Sequence, residues 1–134
     1  MISVAVAIHA PLDLVWQAYT EPEHIVHWNA ASDDWHTTHS TVDLTKGGRF
    51  SSRMEARDGS EGFDFEGVYT RIVNHEVIEY EFGDRTARVS FSTSGEESRV
   101  TIEFEPESTH PVDLQHAGWQ AILDNFKKYV ESSL

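Results

Sequence analysis

The chain opens on a strict alternation. Across residues 2–9, Val4, Val6 and Ile8 fall on one face, and Ser3, Ala5, Ala7 and His9 on the other. That period of two, with no breaker, predicts a half-buried strand. Ala10-Pro11 ends it, and Pro11 suits the first turn of a helix. Leu12, Val15, Trp16 and Tyr19 then recur at helical spacing. Glu21-Pro22-Glu23 closes that helix and starts a second, short one whose apolar side is Ile25, Val26 and Trp28. Residues 29–36 are polar and irregular.

A series of strands separated by turn signals follows. They are expected over 37–44, 49–57, 63–73, 77–82, 86–93 and 98–105. The turns are Lys46-Gly47-Gly48, Asp58-Gly59, Asn74-His75, Gly83-Asp84 and Ser94-Gly95-Glu96. Residues 106–111 break the pattern. The segment 112–132 has no breaker except Gly118 and is the longest expected helix. Leu114, Gly118, Ala121, Ile122, Asn125, Phe126 and Tyr129 share one broad face of it. Lys127 and Lys128 stand near its end, where cations suit the helix dipole. Short connections imply antiparallel neighbours, because parallel pairs need crossovers. The expectation is therefore an α+β chain in which a curved antiparallel sheet of six or seven strands buries its apolar face against the terminal helix. No linker or repeat divides residues 1–134, so one domain is expected.

Composition narrows the partners. Ten Lys and Arg stand against 23 Asp and Glu, a net charge of −13. Nucleic-acid binding draws on basic residues against phosphate, and anionic membrane surfaces attract them too, so neither partner is expected. The charge favours solubility, and a basic protein partner is its functional alternative. With no cysteine in the chain, disulfides and thiolate chemistry are excluded. The first residues have no basic segment and their apolar run is interrupted by Ser3 and His9, so neither a signal peptide nor a membrane span is expected. A cytoplasmic location is the resulting expectation.

Several short matches, in order along the chain, carry a family resemblance. They are Ile8-His9-Ala10-Pro11 with Val15-Trp16, Thr20-Glu21-Pro22-Glu23 with Trp28, Gly47-Gly48-Arg49-Phe50, Gly67-Val68-Tyr69, Arg99-Val100-Thr101, and Gly118-Trp119 with Leu123 and Tyr129. In this order and spacing the chain resembles the START-like (SRPBCC) superfamily. It is most similar to the AHSA branch, named after the activator of the heat-shock-protein ATPase. The resemblance implies a helix-grip fold with a cavity between sheet and helix. Members of that superfamily include small-molecule and lipid binders, polyketide cyclases and aromatases, and a chaperone-activator domain, so fold alone does not choose a function.

The candidate chemistry follows. An inner sheet face carrying Phe50, Met54, Ile78, Tyr80, Phe91 and Phe104 would look onto Ile122 and Phe126 of the helix, with Gly118 letting the helix approach or leaving room beneath it. Such a surface suits a small hydrophobic or amphipathic ligand, although it suits a filled core as well. Trp28, Tyr69 and Tyr80 supply polar atoms on apolar bodies. His24 and His27, like His36 and His39, are three apart, yet no metalloprotease motif is present and no metal site is expected. Asp64, Glu66, Arg71 and Arg88 fit an outward salt-bridged face better than an acid–base pair; by parity Arg71 groups with Tyr69. No nucleophile elbow, P-loop or dinucleotide fingerprint appears, so no catalytic residue and no cofactor is expected. A binder is the leading reading. A cyclase-like enzyme and a stress-linked partner protein are the alternatives.

Overall fold

The computed structural model describes residues 1–134. Strand β1 (Ile2–Ile8) is followed by α1 (Leu12–Thr20) and α2 (Pro22–Trp28). Six strands come next: β2 (Trp35–Val42), β3 (Arg49–Ala56), β4 (Gly62–Val73), β5 (Val77–Phe82), β6 (Arg85–Ser94) and β7 (Glu97–Phe104). The chain ends in α3 (Val112–Ser133), 22 residues long. The strands form one antiparallel sheet in the order β1-β7-β6-β5-β4-β3-β2. This is the expected helix-grip architecture, a curled sheet with a long C-terminal helix and short helices after the first strand. No helix is long and apolar enough to cross a membrane.

The sheet is a meander except at its closing step, where the first strand pairs with the last. Val4 lies opposite Ile102 and Val6 opposite Val100, and all four are buried. Helices α1 and α2 carry the chain from the β1 edge to the β2 edge. Trp28 anchors the second of them by donating its indole N–H to the Ala18 carbonyl at 2.8 Å.

The β1 edge is sealed by α3. Gln120 donates to the Ala5 carbonyl at 3.0 Å, Lys127 to the Ala7 carbonyl at 2.5 Å, and Glu131 accepts the His9 amide at 2.8 Å. These three residues line one stripe of the helix and satisfy backbone groups that an open edge would present to other chains. The helix consequently runs beside β1 and touches α1 and α2, and its Trp119 reaches across to Phe104 of β7, Phe82 of β5 and Phe65 of β4.

Its buried face also differs from the expected one. Gln115, Leu123, Phe126 and Val130 are buried, with Trp119 packed on the core, whereas Leu114 is 58% exposed. The apolar pattern misleads here because Gln115, a polar residue, occupies the buried stripe. Its amide donates to the carbonyls of Glu107 and His110 and accepts the Glu107 amide, fixing the loop before the helix. Gly118 is displaced in turn: a Cβ there would meet no atom within 4 Å. It therefore mediates no close approach.

Gly67 is the glycine that packing requires. A side chain there would strike the Glu81 carbonyl and stand 2.8 Å from the Phe50 ring. Gly67→Ala should lower stability by about 1–3 kcal/mol, because both neighbours must shift; unchanged urea unfolding would contradict this packing. Gly118→Ala should instead raise stability by about 0.5–1 kcal/mol, by helix propensity alone. A loss in the same assay would show that the position is crowded.

Candidate functional site

With α3 held along β1, the inner face of β3, β4 and β5 is filled only in part by its Trp119, which reaches Phe65 and Phe82. A cavity of about 320 Å³ occupies the gap, lined by 18 residues of which 14 are hydrophobic. Its floor is set by register. Phe50, Ser52 and Met54 of β3 stand opposite Gly67, Phe65 and Phe63 of β4, and the parity of both strands points these positions inward. Ile78 and Tyr80 of β5 and Ile102 of β7 continue the wall, Tyr19, Ile25 and Trp28 close it from α1 and α2, and Trp119 and Ile122 reach in from α3. Phe63 is 48% exposed, so the cavity meets solvent at that end.

A β-bulge decides what β4 contributes. Tyr69 pairs with Tyr80, but Arg71 pairs with Glu79, so Thr70 is an extra residue. Strict alternation would turn Arg71 inward with Tyr69. The bulge resets the phase, and Arg71 lies outside, 3.3 Å from Glu79, which also meets Arg88 at 3.2 Å. The parity expected for Arg71 is thus overturned at one residue. Asp64, Glu66, Arg71 and Arg88 are all exposed and none lines the cavity.

Three phenols converge on the void. Tyr69 and Tyr80 are each 7% exposed and are direct cross-strand neighbours; the Phe50 ring packs against both, at 5.1 and 5.0 Å. Tyr19 joins them from α1. Their hydroxyls have no protein partner, yet no side-chain oxygen or nitrogen is both fully buried and unsatisfied. The hydroxyls therefore open onto the cavity. Burial, and then the neighbouring Tyr69, push the Tyr19 phenol far above its ordinary value. Burial and the Asp43 carboxylate do the same to Tyr69. For Tyr80, burial together with Tyr19 and Tyr69 outweighs the opposing Arg85 guanidinium. All three are neutral hydrogen-bonding groups at neutral pH.

Of the candidate ligand residues, Trp28, Phe50, Met54, Tyr69, Tyr80 and Ile122 line this cavity. Trp28 presents only its ring, since its N–H is committed to Ala18. Phe91, Phe104, Phe126 and Gly118 do not line it. Phe91 is covered edge-on by Trp16 and Tyr19. Phe104 is stacked beneath Trp119 at 3.9 Å, and Phe126 lies behind Tyr19 and Trp28. Phe91 and Phe104 have the right parity, but a helix side chain stands between each of the three rings and the void. The lining residues not among the sequence candidates include Tyr19, Phe65, Arg85 and Trp119. Phe65 shared the inward parity of Tyr69 and was legible on that ground. The histidines lie elsewhere: His24 bonds the Tyr129 hydroxyl at 2.7 Å and His27 stacks on the same ring.

Comparison with known proteins places this geometry in a family. The family model described as "Activator of Hsp90 ATPase homolog 1-like protein" matches residues 9–131. The AHSA1-like protein from Aeromonas hydrophila superimposes with a TM-score of 0.91 at 42% identity, over 98% of this chain and 94% of that one. Chr148 from Cytophaga hutchinsonii gives 0.84 at 44% identity, over 97% and 91%. CV1439 from Chromobacterium violaceum, 22% identical, shares the fold with a TM-score of 0.86 over 98% of each chain. No curated protein matches the chain. With the family model spanning nearly all of it, the chain belongs to the AHSA1-like family.

Proposed function

We propose that this protein binds a small hydrophobic or amphipathic molecule in the cavity between β3–β5 and the helices. The observation that carries the reading is an apolar void holding three phenol hydroxyls with no protein partner. Apolar walls with a few convergent polar groups are the usual make-up of a ligand pocket. Hydroxyls that open onto an apolar void without a protein partner keep their hydrogen-bonding capacity for a guest. Binding is favoured over acid–base catalysis by the same lining. It contains no Asp, Glu, His, Lys or Cys, and phenols with raised pKa are poor bases near neutrality.

The neutral apolar dye N-phenyl-1-naphthylamine should bind the parent protein saturably, one molecule per chain. Ile122→Trp, which fills the cavity from α3, should weaken it at least tenfold without loss of thermal stability. Leu114→Trp, on the exposed side of the same helix, should leave binding unchanged. Unsaturable binding by the parent, or equal affinity in Ile122→Trp, would refute the reading.

The tyrosines give a second test. A folded-state pKa above the unfolded value stabilises the fold at low and neutral pH. That contribution persists up to the unfolded tyrosine value of about 10 and is lost as the pH climbs through the folded values. All four tyrosines are raised by burial. In alkaline titration, the ultraviolet phenolate absorbance of Tyr19, Tyr69 and Tyr80 should therefore appear together with loss of circular dichroism, and only that of the part-exposed Tyr129 before it. Phenolate formation by more than one tyrosine well before unfolding would contradict the assigned burial.

A further inference from the structure

Among the cavity's lining residues only Arg85 carries a charge. It is held in place: its guanidinium lies 4.4 Å from the centroid of the Phe82 ring and donates to the Glu105 carbonyl at 3.2 Å. It forms no ion pair, as Arg49, Arg57 and Arg99 form none and unlike Arg53, Arg71 and Arg88, but it alone of these lines the cavity. The nearby carboxylates are already engaged. Glu105 accepts from the amide and hydroxyl of Thr86, and Glu107 from His110. Beside Arg85 along the same wall stands Tyr80, whose ring packs on Phe82 at 5.5 Å and whose hydroxyl faces the void.

We propose that the cavity selects small monocarboxylic acids with an apolar body, the carboxylate being received by Arg85 and the Tyr80 hydroxyl and the body by the aromatic walls. A fixed guanidinium with free donors, next to a neutral O–H donor, matches the two oxygens of a carboxylate. Stacking on Phe82 removes part of the cost of ordering the arginine on binding. The void limits the body. It amounts to about ten times the roughly 30 Å³ that one water occupies in the liquid, which fits an arylalkanoic or medium-chain acid and is too small for a two-tailed lipid. The net negative charge does not forbid such a ligand, since exposed charges more than about 8 Å away are screened at physiological salt.

This inference rests on the binding reading above, and its test separates the two. Phenylbutanoate and decanoate, each against its methyl ester, compete with N-phenyl-1-naphthylamine for the parent protein, for Arg85→Gln, Arg85→Lys and Tyr80→Phe. The acids should outcompete their esters at least tenfold on the parent. Arg85→Gln should abolish that preference, read as the acid-to-ester ratio within the variant so that any change in dye affinity cancels, Arg85→Lys should keep part of it, and Tyr80→Phe should reduce it. Equal competition by acid and ester on the parent, with the dye still bound, overturns the carboxylate assignment and leaves the cavity reading standing. A preference undiminished in Arg85→Gln overturns it equally. Failure of the dye to bind the parent at all removes both.

Discussion

The docking of α3 along the β1 edge is the constraint on which the cavity depends. A helix that followed only its apolar residues would settle over the middle of the sheet and fill the space there. Here the backbone of an edge strand must be satisfied, and Gln120, Lys127 and Glu131 are spaced to do it. The energetic reason is general: unpaired strand edges recruit other strands, and covering them costs less than leaving them open. Once the helix is held at that edge, only Trp119 and Ile122 reach back toward β4 and β5. The space beneath them is a by-product of edge protection that the aromatic lining then shapes.

The lining is layered. Phe104, Phe126 and Phe91 form an inner stratum that is fully packed, with Trp119, Tyr19 and Trp28 stacked on or edged against it. The second stratum has one face on the core and the other toward the void. This arrangement favours rigid walls on the helix side, because Trp119, Tyr19 and Trp28 are each braced from behind by a fully packed ring. On the opposite side, Phe50 rests above Gly67 and reaches Phe65, Tyr69 and Tyr80. The absence of one side chain at Gly67 makes room for a ring that organises three others.

Most of the architecture was legible in the sequence because it rests on local rules. The alternation of Val4, Val6 and Ile8, the turn at Asp58-Gly59 and the Pro22 boundary each act within a few residues. The site was legible only as far as parity reaches. Phe50, Met54, Tyr69 and Tyr80 face the void because their strands alternate. Phe91 and Phe104 alternate just as well, and whether a helix side chain lands on them is a tertiary fact. The α3 register failed for a related reason: Gln115 is buried by its bonds to the preceding loop, which no hydropathy pattern records. Arg71 failed because a single extra residue at Thr70 resets the strand, and nothing in the alternation marks it. Arg85, on the edge of a turn, carries no local mark of its place at the cavity, which depends on the Phe82 ring beside it.

One local oddity has mechanical weight. His75 adopts a left-handed conformation, φ 65°, at a turn where glycine is the unstrained choice. It is fixed there by Asp13 at 2.8 Å and by the Trp16 ring, stacked at 5.3 Å and 14°. The hairpin carrying Tyr69 and Tyr80 is thereby strutted to the helix carrying Tyr19. The two halves of the phenol cluster belong to one rigid frame, so a guest molecule would find its hydrogen-bonding partners already at their working separation and would spend little of its affinity drawing them together.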